Sequence, residues 1–282
     1  MSARTGAEMQ VASDEAEVEG LERAAVLDVR ELTLRFGGVT ALESVSFDVR
    51  AGELFAVIGP NGAGKTSIFN CLNGVYTPQM GLIRFQGQEL VGMKPTAIAR
   101  LGIARTFQNL GLFMNLDVID NLMLGRHLKM RTGFVGGALW FGRARREEIA
   151  NRERVEAIID LLELETRRGV PVGMLPFGVQ KRIELGRALA MDPALLLLDE
   201  PVAGMNLEET EDMVRYILEA REHLDLAMVL VEHDMHVVMD IADRVMALNF
   251  GQVIAIGGPG EVQRDPTVIE AYLGHAHDEG SG

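Results

Sequence analysis

Leu54-Phe55-Ala56-Val57-Ile58-Gly59-Pro60-Asn61-Gly62-Ala63-Gly64-Lys65-Thr66-Ser67 is the stretch on which the fold turns. Its first five residues form a continuous apolar run, the pattern of a strand buried on both faces. Gly59 to Thr66 fit G-x-x-x-x-G-K-[ST], and Ser67 to Leu72 reads as a helix. Strand, glycine-rich turn and helix in that order make a cradle for phosphate. The glycines let backbone N–H groups close around phosphate oxygens, and the helix N-terminus adds a partial positive charge. Candidate nucleotide contacts are therefore Gly59, Pro60, Asn61, Gly62, Ala63, Gly64, Lys65, Thr66 and Ser67. Lys65 reaches the outer phosphates, and the Thr66 hydroxyl can ligate Mg²⁺.

A second apolar run, Leu195 to Leu198, ends in Asp199-Glu200. Carboxylates are costly to bury, so two at a strand end call for a purpose. Beside a phosphate loop, Asp199 would hold Mg²⁺ through water and Glu200 would polarise an attacking water as general base. A third apolar strand is expected at Met228–Glu232, and the intervening helix carries Met213, Ile217 and Ala220. Strands alternating with helices imply a mostly parallel sheet.

Upstream the pattern changes. Leu27 and Val29 alternate with polar residues, the phase slips near Glu31, and Leu32, Leu34 and Phe36 resume it, which predicts a strand with a bulge. Val45, Phe47 and Val49 mark one face of a second strand. Residues 115–174 read as helical, with Val155, Ile158, Ile159 and Leu162 at i, i+3, i+4 and i+7. The expected fold class is α/β: a P-loop NTPase core with a mostly parallel sheet, an N-terminal antiparallel β subdomain and an inserted helical subdomain. Its segments are an acidic tail over 1–25, core at 26–114 and 175–259, the helical subdomain at 115–174, a C-terminal helix at 260–274 and a second tail at 275–282.

Composition narrows the function. Lys plus Arg total 27 against 41 Asp plus Glu, a net charge of −14. Gripping nucleic acid needs the opposite balance, so no nucleic-acid partner is expected. The single cysteine, Cys71, fits a reducing compartment. Apolar runs fall far short of the ~20 residues that span a bilayer, and no signal peptide is visible.

Further segments complete a resemblance. Thr106-Phe107-Gln108-Asn109, Leu175-Pro176-Phe177-Gly178-Val179-Gln180-Lys181-Arg182, Ala203-Gly204-Met205-Asn206 and Val231-Glu232-His233-Asp234 follow in order around the phosphate loop and Asp199-Glu200. Over residues 26–274 the chain resembles the nucleotide-binding subunits of ATP-binding cassette transporters. That resemblance implies ATP and Mg²⁺ as ligands and catalytic roles for Glu200, His233, Gln108 and Lys65. It also implies that Phe36 stacks on adenine, that Gln108 contacts the metal and senses the membrane partner, and that His233 hydrogen-bonds the γ-phosphate. Thr66, Gln108 and Asp199 form the implied metal set.

The implied partners are a second cassette subunit, paralogue or self, packed head to tail, and two membrane permeases. A solute-binding protein is an indirect partner. The place of work would be the cytoplasmic face of the inner membrane. Leu175 to Arg182 resembles the signature segment that closes over the partner's ATP, but Pro176 stands where that family usually has serine, and Phe177 and Val179 replace a glycine and a glutamine. Gly178 keeps its N–H.

Arg105 to Phe113 and Val268 to Gly274 resemble ATPases of branched-chain amino-acid importers, as does the long helical insert. The ATPase of a lipid or lipopolysaccharide exporter, and a soluble cassette ATPase, stay open as alternatives. Arg126 to Arg146 holds six basic residues and no acid, readable as a membrane-side contact or as a solvated loop.

Overall fold

The computed structural model of the chain describes residues 25–106, 111–127 and 143–278. Two long strands open it, β1 (Ala25–Phe36) and β2 (Val39–Arg50), paired antiparallel. The register slips between Val29 and Leu32, and Glu31 takes a positive φ of 50°, so the expected bulge is there. Val45, Phe47 and Val49 are buried on one face of β2 as the alternation requires. β3 (Leu54–Ile58) is buried throughout and leads into α1 (Lys65–Leu72). Next come β4 (Met80–Phe85), β5 (Gln88–Glu89), α2 (Pro95–Leu101) and β6 (Ile103–Arg105).

The helical insert contributes α3 (Val118–Arg126), α4 (Arg143–Leu161) and two short 3-10 turns at Glu165–Arg167 and Val172–Met174. After it run α5 (Phe177–Leu189), β7 (Leu195–Asp199), α6 (Leu207–Leu224), β8 (Ala227–Val231) and α7 (Met235–Ile241). β9 (Arg244–Asn249), β10 (Gln252–Gly257), α8 (Pro259–Val262) and α9 (Pro266–Asp278) complete the described chain.

Two boundaries differ from the sequence expectation. Glu232 lies one residue past β8, where its side chain accepts backbone N–H groups instead of joining the ladder. The single helix expected over 260–274 is two helices. Gln263, Arg264 and Asp265 separate them, and the Asp265 carboxylate caps the second by accepting from Thr267 N at 2.8 Å.

The strands form two sheets, β2-β1-β4-β5 and β10-β9-β3-β8-β7-β6. The first is antiparallel, and in the second every pairing except β10–β9 is parallel. Alternation on the parallel strands divides the interior into two cores. Leu54, Ala56 and Ile58 of β3 face the helical side, with Leu196, Leu198, Met228 and Leu230. Phe55 and Val57 face the antiparallel sheet and α1, with Leu195, Leu197, Val229 and Val231. Period two thus makes one strand serve two packing layers. The parallel pairing of β3 with β8 and of β8 with β7 brings the ends of the three strands side by side.

Candidate nucleotide site

Three loops leave the C-terminal ends of these neighbouring parallel strands: the phosphate loop after β3, Glu232-His233 after β8 and Glu200 after β7. In open parallel sheets this edge is where ligands bind. The phosphate loop needs its glycines for room. A Cβ on Gly59 would lie 2.1 Å from the Leu248 carbonyl oxygen. At Gly64, φ is +110° and a Cβ would lie 2.8 Å from the Ala41 carbonyl oxygen. The loop thus sits hard against β9 and β2. Asn61, Gly62 and Thr66 are exposed along it, Ser67 and Gly64 are half-buried, and Pro60 and Ala63 are buried.

The Lys65 ammonium turns back into the loop, donating to the Gly59 oxygen at 2.6 Å and the Pro60 oxygen at 3.0 Å. Burial lowers the pKa of this amine, opposed by the negative charges of Glu200 and Asp199. Two carboxylates and a cation therefore share one electrostatic neighbourhood.

Asp199 closes β7 with its side chain 1% exposed, and its N–H donates to the Thr106 hydroxyl at 3.1 Å. Its carboxylate accepts from Arg105 Nη2 at 2.6 Å. Glu200 follows in a left-handed conformation, φ 49°, with its N–H on the Val231 oxygen at 2.9 Å. Glu232 is fully buried and takes N–H groups from Val202 at 3.1 Å and His233 at 3.0 Å. One carboxylate thereby ties the loop after Glu200 to the loop carrying His233. The His233 side chain is 62% exposed, with its Nδ1 3.7 Å from Glu232 Oε2.

Phe36 ends β1. It is 45% exposed and meets Tyr76 edge to face, ring centroids 5.0 Å apart. Its strand partner Val39 lies two residues from Ala41, whose carbonyl oxygen abuts Gly64. An exposed aromatic offers a stacking face.

Gly178 is elsewhere. It is buried in the first turn of α5 with Glu209 as its nearest neighbour, and α5 packs on α3 and α4. The chain does not bring it to its own phosphate loop. Gln108 lies outside the described residues, as does most of the basic segment from Arg126 to Arg146.

The donor chemistry of Thr66 and Asp199, a hydroxyl and a carboxylate, is compatible with Mg²⁺. Hard oxygens are the donor chemistry that Mg²⁺ takes, together with waters and substrate phosphates. Sequence reasoning missed Arg105, Glu232 and Tyr76. Arg105 and Glu232 stand within quoted motifs, but their contacts are set by the sheet.

Residues 42–203 match the ABC transporter family model, and residues 252–278 match that of the branched-chain amino acid ATP-binding cassette transporter. The high-affinity branched-chain amino acid transport ATP-binding protein BraF of Pseudomonas aeruginosa is 39% identical over 251 residues, 89% of this chain and 98% of that protein. LivG of Salmonella typhimurium, of the same description, is 40% identical over the same shares. Among solved structures, the ADP conformation of an ATP-binding cassette of an ABC transporter superposes with TM-score 0.78 at 27% identity, covering 89% of this chain and 99% of that one. A cassette of the cbiONQ complex from Clostridium perfringens gives 0.73 at 26%, covering 90% and 99%. With the phosphate loop, the paired acids and the parallel sheet all in their places, this chain belongs to the ATP-binding cassette transporter family.

Proposed function

We propose that the chain is the ATP-hydrolysing subunit that powers an importer of branched-chain amino acids or a related small polar solute. The observation that carries this reading is the convergence of the phosphate loop, Asp199-Glu200 and Glu232-His233 on one edge of the parallel sheet. The match of residues 252–278 and the names of the relatives favour the importer class.

In this reading Gly59 to Ser67 bind the phosphates, and Lys65 leaves the Gly59 and Pro60 carbonyls for the outer phosphates. Phe36 stacks on adenine. Glu200 holds the attacking water and takes its proton, and His233 donates to the γ-phosphate. Thr66 and Asp199, with Gln108 assigned from sequence alone, would hold Mg²⁺. When bound, that ion neutralises phosphate charge. Gly178 serves a second subunit's ATP, since it lies away from its own phosphate loop. The other partners are two permeases, with a solute-binding protein beyond them, and the chain works as a peripheral subunit at the cytoplasmic face. Among the described residues no helix is long and apolar enough to cross a membrane, so its hold there comes through partners.

The test is purification of the tagged chain from its native membranes, followed by assay of the recovered complex in proteoliposomes. Permease subunits and ATP hydrolysis stimulated by a branched-chain amino acid with its binding protein are expected. Glu200→Gln should bind ATP and lose nearly all phosphate release. Near-normal release would remove Glu200 from its role, and a complex indifferent to these amino acids would remove the substrate class.

A further inference from the structure

Arg105 is the last residue of the three-residue edge strand β6. Its side chain is 12% exposed, and it donates to the Asp199 carboxylate through Nη2 at 2.6 Å and to Asn70 Oδ1 through Nη1 at 2.8 Å. The guanidinium also lies over the Phe69 ring, 5.4 Å from its centroid. Asn70 and Phe69 both belong to α1, the helix that issues from the phosphate loop. One cation therefore joins the edge strand, the helix behind the phosphate loop and the acid at the end of β7.

A buried carboxylate needs a counter-charge. Lys65, the other cation in this neighbourhood, is turned to the Gly59 and Pro60 carbonyls, so the direct partner of Asp199 is Arg105. The arrangement is incomplete for a permanent structural pair. Arg105 Nε is buried and has no hydrogen-bond partner among the described residues. The side chain also hangs from an edge strand paired on one side only, to β7, which can shift without breaking a second ladder.

We propose that Arg105 is a positioning residue that serves as the resident counter-ion of Asp199, holding the carboxylate before nucleotide binds and yielding it in part to Mg²⁺. This rests on the reading of Asp199 as a Mg²⁺-side group. Two cations on one carboxylate repel, so the ion and the guanidinium compete. The price of Arg105 in the metal-free protein is a weaker site for Mg²⁺; its benefit is that Asp199 is never a bare buried charge.

The experiment uses the purified full chain and ATP, with Mg²⁺ titrated in from excess chelator. The readouts are the thermal midpoint and the Mg²⁺ concentration giving half of its rise. In chelator, Arg105→Met should melt well below wild type. Saturating Mg²⁺ with ATP should recover most of that loss, and the half-effect Mg²⁺ concentration should fall by about tenfold. Arg105→Lys keeps a charge but cannot span both Asn70 and Asp199. It should fold and shift the same way by a smaller factor, which keeps the idea testable if Arg105→Met does not fold. Equal losses with and without Mg²⁺, at an unchanged half-effect concentration, would make Arg105 a structural residue only. A higher half-effect concentration would make it an ally of the metal and overturn the competition. If ATP stabilises the wild type equally with and without Mg²⁺, the metal reading of Asp199 falls, and this proposal falls with it.

Discussion

Phe36 and Glu232 sit at opposite ends of the exposure scale, and each yields a measurable consequence. Phe36 is 45% exposed and its ring meets Tyr76, so its removal disturbs little packing, and in the proposed role it deletes a stacking face. Phe36→Ala should weaken ATP binding by about 1–2 kcal/mol, roughly 5- to 30-fold, and Lys65→Ala should weaken it more. Equal affinity for wild type and Phe36→Ala in a fluorescent-nucleotide titration would assign Phe36 to packing. Glu232 is the reverse case. Burial pushes its carboxyl above the usual glutamate value, and the N–H groups of Val202, His233 and Asp234 pull it part of the way back. The folded chain therefore binds this proton more tightly than the unfolded chain. Its contribution to stability is greatest near and below pH 4.5, the ordinary value, and declines as pH rises through the elevated folded value. Glu232→Gln cannot titrate, so the wild-type-minus-variant stability should decline with rising pH across that window. At any pH the amide also turns one N–H toward backbone donors, a loss of about 1–3 kcal/mol. A pH-independent difference in thermal unfolding would remove the assignment.

At the scale of elements, the phosphate loop, the buried runs of β3 and β7 and the bulged β1 were legible because their signals are local. Motif spacing, uninterrupted apolarity and a slipped alternation each fit within a dozen residues. The Arg105–Asp199 and Val202–Glu232 contacts were not legible, since the first joins residues 94 apart and the second 30 apart. No local pattern encodes which strands become neighbours, and the order β8-β7-β6 decides both. The start of α6 lies between these cases. Asn206 and Glu209 have capping-box spacing, and both bonds form, at 3.0 and 3.2 Å. The tertiary use of that box was hidden: a Cβ on Gly178 would lie 2.5 Å from Glu209 Oε1. Gly178→Ala should thus push the Glu209 carboxylate out of the box and cost about 0.5–2 kcal/mol. The same substitution made on a Glu209→Ala background should cost far less. Additive losses in thermal unfolding would show that the two elements do not touch in this way.

At the scale of the whole molecule, the proposed pairing with a second subunit turns on the start of α5. Pro176 caps that helix with no side-chain hydrogen bond, and it is exposed. Phe177, beside it, lies against Gly204, with a Cβ there 3.4 Å from the ring. The exposed end of α5 is thereby joined to the loop that follows Glu200. In the proposed head-to-tail pair this end faces the partner's ATP, and proline brings neither a hydroxyl nor an N–H to it. The helix end still carries partial positive charge and the Gly178 N–H. Closure should therefore occur, but more weakly than with serine. Pro176→Ser should lower the ATP concentration needed to close the assembled transporter. A hydrogen bond to a charged phosphate is worth about 1.5–3 kcal/mol, an upper range because water can substitute for it. Serine would also cap α5 within the subunit and raise its stability by about 1 kcal/mol, so the isolated chain must be melted in parallel. A higher melting midpoint together with a lower closing concentration assigns the hydroxyl to the interface. A higher midpoint with an unchanged closing concentration assigns it to the helix alone, and the end of α5 then grips the partner's phosphate by its backbone.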